Sequence, residues 1–199
     1  MTGPERHQVP AALVAELSES VIALVGMPGT GKSTIGRQLA RELGWRFIDS
    51  DVEIEHRLGE TIRAHFERMG EGSFRAIESA TLADLVSDGP LVLATGGGAV
   101  LREANRAVLR SAGPVVYLRS TPEDLARRLR HDQQRPLLQG GDPLTRLRSL
   151  FRERDPLYRE VASYTLDTGR ASVPTLVRLL LSQLELAGVV PMERQHGRR

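Results

Sequence analysis

The 199-residue chain contains no cysteine, one Trp, three Tyr, four Phe and, among its 27 basic residues, a single lysine. Without cysteine there is neither a disulfide nor a thiolate metal site, which fits a reducing compartment. So few aromatics deny the arginines the stacking platforms of a nucleic-acid surface, and no nucleic-acid partner is expected. No apolar run approaches the ~20 residues that span a bilayer. The first residues lack the apolar core of a secretion signal. A cytoplasmic protein with no membrane partner is therefore expected. The sequence pI of 9.5 accompanies a net charge of only +2. With one Lys and three Tyr, little titrates between His and pH ~10, so the titration curve is flat there. Any preference for anions must come from where the arginines sit.

The lone lysine, Lys32, lies in Gly26-Met-Pro-Gly-Thr-Gly-Lys-Ser33, which has the spacing G-x-x-x-x-G-K-[ST]. Backbone N–H groups of such a turn wrap polyphosphate oxygens, and a compact ammonium reaches the outer phosphates. A planar guanidinium does not replace it as a point charge. Before the loop, Val21-Ile-Ala-Leu-Val25 reads as a buried parallel strand. After it, Ile35, Leu39 and Leu43 recur at helical spacing, with Gly44 as the stop. The helix N-terminus adds partial positive charge facing the phosphates. Ser33 supplies a hydroxyl suited to Mg²⁺. These residues predict binding of a nucleoside triphosphate.

Five strand-like runs, 21–25, 45–48, 91–95, 114–118 and 164–167, alternate with helical stretches, which implies an α/β fold with a mainly parallel sheet. Thr121-Pro122 and Asp142-Pro143 are helix starts. Residues 131–142 show no period and read as a mobile lid, while 1–18 and 188–199 read as an N-terminal extension and a disordered tail around a domain at 19–187.

Four further constellations carry chemistry. In Phe47-Ile-Asp49-Ser-Asp51-Val-Glu-Ile-Glu55 two carboxylates stand just past a strand's carboxyl end. One can hold Mg²⁺ through water and the other accept a substrate hydroxyl, although Asp49, Ser50 or Asp51 could equally cap the next helix. In Gly70-Glu-Gly-Ser-Phe-Arg75-Ala-Ile-Glu78, Arg75 and Glu78 are either a surface ion pair or an arginine anchored for a planar carboxylate. The run Gly96-Gly97-Gly98 lets backbone approach a ligand closely. Thr95 stands where many phosphate-loop proteins carry a metal-handling Asp, so the metal must rely on Ser33, water and Asp49. Arg127, Arg130 and Arg152 read as solvated, and Arg135 as a charge able to close over transferring phosphate.

In this order, GMPGTGKST, FIDSDVEIE, GEGSFRAIE, GGGAV, RPLL and RDPLYREVA resemble the shikimate kinase family between residues 21 and 186. The resemblance implies a three-layer P-loop kinase fold, with a five-stranded parallel sheet flanked by helices, a lid and a substrate-binding subdomain. It implies Mg²⁺-assisted transfer of the γ-phosphate of ATP to the 3-hydroxyl of shikimate, on the route to chorismate and the aromatic amino acids, by a monomer. Lys32, Asp51 and Arg135 then match the catalytic residues. Gly29, Thr30, Gly31, Lys32, Ser33, Thr34, Arg128, Arg135 and Arg170 match the ATP site. Asp51, Arg75, Gly97, Gly98 and Arg154 match the shikimate site, and Ser33 with Asp49, through water, the metal site. The proline that follows Arg170, Pro174, is displaced by one residue from the family's pattern. The alternatives are a related kinase acting on gluconate or a nucleoside monophosphate, and a nucleotide-gated scaffold that has lost turnover.

Overall fold

The structure, a computed structural model, describes residues 21–130, 142–169 and 171–191. Residues 131–141 of the lid expected at 131–142, with Arg135, and Arg170, residues 1–20 and residues 192–199 of the expected tail fall outside that set. Five parallel strands, Val21–Val25 (β1), Arg46–Asp49 (β2), Leu91–Ala94 (β3), Val115–Arg119 (β4) and Tyr164–Asp167 (β5), stand in the order β2-β3-β1-β4-β5. They match the expected runs to within a residue at each end. Around them lie helices Lys32–Leu43 (α1), Ser50–Leu58 (α2), Ile62–Val86 (α3), Glu103–Ala112 (α4), Pro122–Arg128 (α5), Pro143–Val161 (α6) and Val173–Leu186 (α7), with a 3₁₀ turn at Ala99–Leu101.

The sheet divides its side chains by strand periodicity. Val21, Ala23 and Val25 of β1 enter one apolar cluster with Leu91, Leu93, Val115 and Tyr117, covered by α3, α4 and α6. Ile22 and Leu24 enter the other with Val92, Val116 and Leu118, covered by α1 and α7. Buried on both faces, the three middle strands need no polar alternation. Each fully buried Leu, Ile or Val contributes about 1.5–3 kcal/mol over its exposed state, so this middle holds the layers together. Leu24→Ala, at 0 % exposure, would open a void costing roughly 2–5 kcal/mol.

Helix boundaries follow local chemistry. Thr121 accepts the Asp124 N–H ahead of α5, and Asp142 accepts those of Leu144 and Thr145 ahead of α6, each with proline at the first turn. One helix departs from regularity: α3 breaks at Gly70, whose φ of 76° and ψ of 171° suit glycine. At the C-terminal end, the Val189 N–H reaches back to the Leu184 carbonyl and Val190 is buried in the α7-side core. Packed structure therefore continues past residue 188, where the tail was expected to begin.

Because all strands run one way, the segments after β1, β2 and β3 leave on the same edge, with Asp49 in register with Ala94. In an open parallel sheet this carboxyl edge is where ligands bind.

Candidate active site

The segment after β1 forms a bowl. The Thr30 hydroxyl donates to the Met27 carbonyl at 2.9 Å. Lys32 folds back over the loop and donates to the carbonyls of Gly26 at 2.9 Å and Met27 at 3.1 Å. Helix α1 begins without a side-chain cap, so its first N–H groups face the bowl and suit an anion. Gly29, Thr30 and Gly31 thus close the loop, and Lys32, Ser33 and Thr34 open α1 directly after it.

Beside the bowl, Asp49 serves two partners. Its Oδ2 accepts the Ser33 hydroxyl at 2.5 Å, and its Oδ1 accepts the Asp51 N–H at 3.1 Å as the cap of α2. The capping role and the place beside Ser33 therefore coexist in one carboxylate. Among the described residues no group of three or more His, Asp or Glu side chains gathers as a metal cage. A hydroxyl, a carboxylate and substrate phosphates are the donor set that Mg²⁺ takes, so the residues present fit this ion. Thr95, by contrast, turns its hydroxyl to the Leu24 carbonyl at 3.2 Å, a structural role.

Asp51 points at the glycine run. A side chain at Gly96 would collide with its carboxylate. Burial is the main reason that the Asp51 carboxyl is pushed up from 3.8 to about 6; Asp49 adds to the rise and Lys32 opposes it. On the far side of the same run, a Cβ at Gly98 would lie 2.5 Å from Nη2 and 2.6 Å from Nη1 of Arg75. Only backbone fits between Asp51 and Arg75.

Arg75 is not the surface pair that its spacing with Glu78 allowed. Its Nη1 donates to Glu78 at 2.8 Å, where the carboxylate side chain is 1 % exposed. Nε and Nη2 donate to Glu71 at 3.2 and 3.1 Å, and the guanidinium rests 5.2 Å from the ring centre of Phe74. Burial raises the Glu78 carboxyl, while Arg75, Arg102 and Arg154 pull it down. From α6, the Arg154 Nη1 donates to the Gly97 carbonyl at 3.3 Å, and the Tyr158 hydroxyl donates to the same oxygen at 2.5 Å. Arg154 is buried, and its Nε has no hydrogen-bond partner among the described residues. A buried guanidinium with unused donor capacity, held beside the glycine run, is suited to an anionic group.

Arg128 sits apart from this cluster. It donates to the Thr168 hydroxyl at 3.3 Å and to the carbonyls of Thr168 and Gly169, just ahead of α7. That seat adjoins Arg170 in sequence. Arg127, Arg130 and Arg152 are exposed, as their solvated reading required.

Several supports escaped the sequence reading. The Gly96 N–H donates to the buried Ser50 hydroxyl at 3.0 Å, Asn105 to the Ala99 carbonyl at 2.9 Å, and Arg106 to the Val100 carbonyl at 2.8 Å. Tyr158 was the one with a readable signal, since it stands four residues after Arg154 on one helix face. Ser50, Asn105 and Arg106 had none, because each reaches a backbone atom in or just after the glycine run across a turn or across the sheet edge.

Comparison with known proteins points to one family. A sequence model of the family described as shikimate kinase matches residues 28–185. The shikimate kinase of Paracidovorax citrulli is 54% identical over 173 residues, covering 85% of this chain and 94% of that protein. The shikimate kinase of Thiobacillus denitrificans is 53% identical over 163 residues, covering 82% and 89%. The solved structure of the shikimate kinase from Acinetobacter baumannii in complex with shikimate has a TM-score of 0.82 and 46% identity, covering 88% of this chain and 97% of that one.

Proposed function

The chain belongs to the shikimate kinase family, and from that premise we propose that it transfers the γ-phosphate of ATP to the 3-hydroxyl of shikimate, giving shikimate 3-phosphate and ADP. One observation supports this acceptor above others: Arg75 and Arg154, from different helices, converge on the Gly97–Gly98 turn beside Asp51. A small polyol bearing a carboxylate fits that set, because two guanidiniums take the acid while Asp51 and backbone N–H groups meet the hydroxyls. Gluconate and nucleoside monophosphates are not favoured, since the family match runs through all of these elements.

ATP lays its phosphates in the turn from Gly29 to Thr34, and Lys32 exchanges its two loop carbonyls for phosphate oxygens. Mg²⁺, held by Ser33 and through water by Asp49, supplies charge neutralisation on the phosphates when bound. The acceptor's carboxylate lies between the guanidinium groups of Arg75 and Arg154. Gly97 and Gly98 donate backbone N–H groups to a ring hydroxyl. The reacting hydroxyl oxygen attacks the γ-phosphorus, the bond to the β-phosphate oxygen breaks, ADP leaves, and the hydroxyl proton passes to the Asp51 carboxylate. A carboxyl near 6 suits that proton transfer, because it is mostly ionised at neutral pH yet a stronger base than an exposed aspartate. Arg135 closes on the transferring group from a lid at 131–142, and Arg128 with Arg170 frames the adenine. The catalytic unit is a single chain, since the phosphate turn, Asp51 and both acid-binding arginines come from one copy. The domain begins near residue 19, after an N-terminal extension, and runs at its other end to the packed Val190, ahead of a short tail.

No helix among the described residues is long and apolar enough to cross a membrane, and we place the reaction in the cytoplasm on the strength of the cysteine-free composition. The test is an ADP-release assay with shikimate, gluconate and AMP in parallel. Turnover with shikimate alone is expected; turnover with gluconate or AMP and none with shikimate would overturn the reading.

A further inference from the structure

We propose that His65 is a positioning residue for Arg75, stapling the two arms of α3 across the break at Gly70 and thereby setting the affinity for the acceptor's carboxylate; this rests on the reading of shikimate as acceptor. At Gly70 the backbone leaves helical geometry, so the helical ladder does not itself dictate how the arm from Glu71 is turned relative to the arm before it. Other contacts must do so. Among the described residues, two side-chain contacts join the arms directly, while Leu82 and Leu85 seat the far end of the later arm in the core: the ring pair Phe66–Phe74, with centroids 4.7 Å apart, and the hydrogen bond between His65 Nε2 and the Ser73 hydroxyl at 3.0 Å.

The ring pair holds the arms together over a broad range of angles, whereas the hydrogen bond is directional and fixes the rotation. His65 is itself tightly held. It is 3 % exposed, and its Nδ1 lies 2.9 Å from Glu60 Oε1, ahead of the helix, which Arg68 also engages. A histidine placed only to fill space would not need both ring nitrogens committed on opposite sides of a break. Ser73 stands two residues before Arg75. Turning that arm by about 15° about its axis would move a group ~6 Å from the axis by roughly 1.5 Å, enough to misplace the guanidinium fork.

The experiment is steady-state kinetics on His65→Ala, Ser73→Ala and the double variant, with shikimate and ATP varied separately. Each single variant is expected to raise the KM for shikimate about fivefold or more, the worth of a lost directional hydrogen bond. The double variant should be no worse than the worse single, and kcat and the KM for ATP should stay within about twofold. Ser73→Ala removes only one hydroxyl and keeps the test decisive if His65→Ala misfolds. An unchanged KM for shikimate in Ser73→Ala, an additive double variant, or an equal rise in both KM values overturns the inference. If the unaltered chain turns over no shikimate, the functional reading falls and takes this inference with it. If it does turn over shikimate, only the staple is at stake.

Discussion

The proposed phosphate side and the proposed acid side of the site are built by opposite strategies. The phosphate side is one uninterrupted stretch, Gly26 to Thr34, in which backbone groups point inward and the single cation rests on its own loop's carbonyls. The acid side draws Arg75 from α3, Gly97 from the turn after β3 and Arg154 from α6, and balances them with a buried Glu78. Polyphosphate is flexible and many-armed, so a short loop with many N–H donors can wrap it. A carboxylate on a rigid ring must be met at one place and angle, so its partners are fixed by packing from three directions. On the proposed assignment, the difference separates affinity for nucleotide from affinity for acceptor at the level of the fold.

The largest expected effect falls at the boundary between the two sides. Asp51→Asn should lower kcat by on the order of 10²–10⁴ while leaving ATP affinity nearly intact; equal loss of nucleotide binding would assign Asp51 to the metal and phosphate side instead. Arg154→Ala should raise the KM for shikimate by roughly 10–100-fold, as a charge-assisted contact does, with the KM for ATP unchanged. A matching rise in the KM for ATP would erase the proposed division. The free enzyme's kcat/KM for shikimate should fall about tenfold per pH unit below about 6 and level off above it, because Asp51 must be ionised to accept the proton. A flat profile from pH 5 to 8 would remove Asp51 from that role.

The same shift has a stability consequence whose sign is opposite to that of a salt-bridged aspartate. Folding raises this carboxyl from 3.8 to about 6, so the folded chain holds the proton more tightly than the unfolded one. Stability from that proton is fully present below 3.8 and is lost as pH rises through 6. Asp51→Asn should therefore raise the thermal midpoint at pH 8 and leave it nearly unchanged at pH 3.5, by differential scanning fluorimetry. The smallest effect is the control: Arg57, paired at the surface with Glu53 and Asp84, should lose less than about 1 kcal/mol on substitution by Ala and alter neither KM.

The two sides also differed in how readily they could be read from the chain. The phosphate turn was legible because its partners are sequence neighbours, and the five strands because their apolar runs are bounded by glycine and proline. Arg75 and Arg154 stand 79 positions apart, and no local pattern pairs them; Arg75 offered itself as a carboxylate anchor, but Arg154 and the pairing came through family resemblance. Whether Arg75–Glu78 lay on the surface or in the interior could not be read from a spacing of three, since burial there is decided by what α6 and the glycine run bring against it. The break at Gly70 was equally hidden, because an isolated glycine in a helical pattern is usually tolerated without a bend. Asp49 was read as a metal residue or a helix cap; its Oδ1 does cap α2, while its Oδ2 accepts the Ser33 hydroxyl.

A protein whose one ε-amine sits in its nucleotide loop is its own reporter. Reductive methylation with isotope-labelled formaldehyde would place a single side-chain probe at Lys32, apart from the chain's α-amine, with no other lysine to crowd the spectrum. Since that nitrogen already grips the carbonyls of Gly26 and Met27, its signal would register the handover from loop to guest, and protection from acylation would measure occupancy without any assay of turnover.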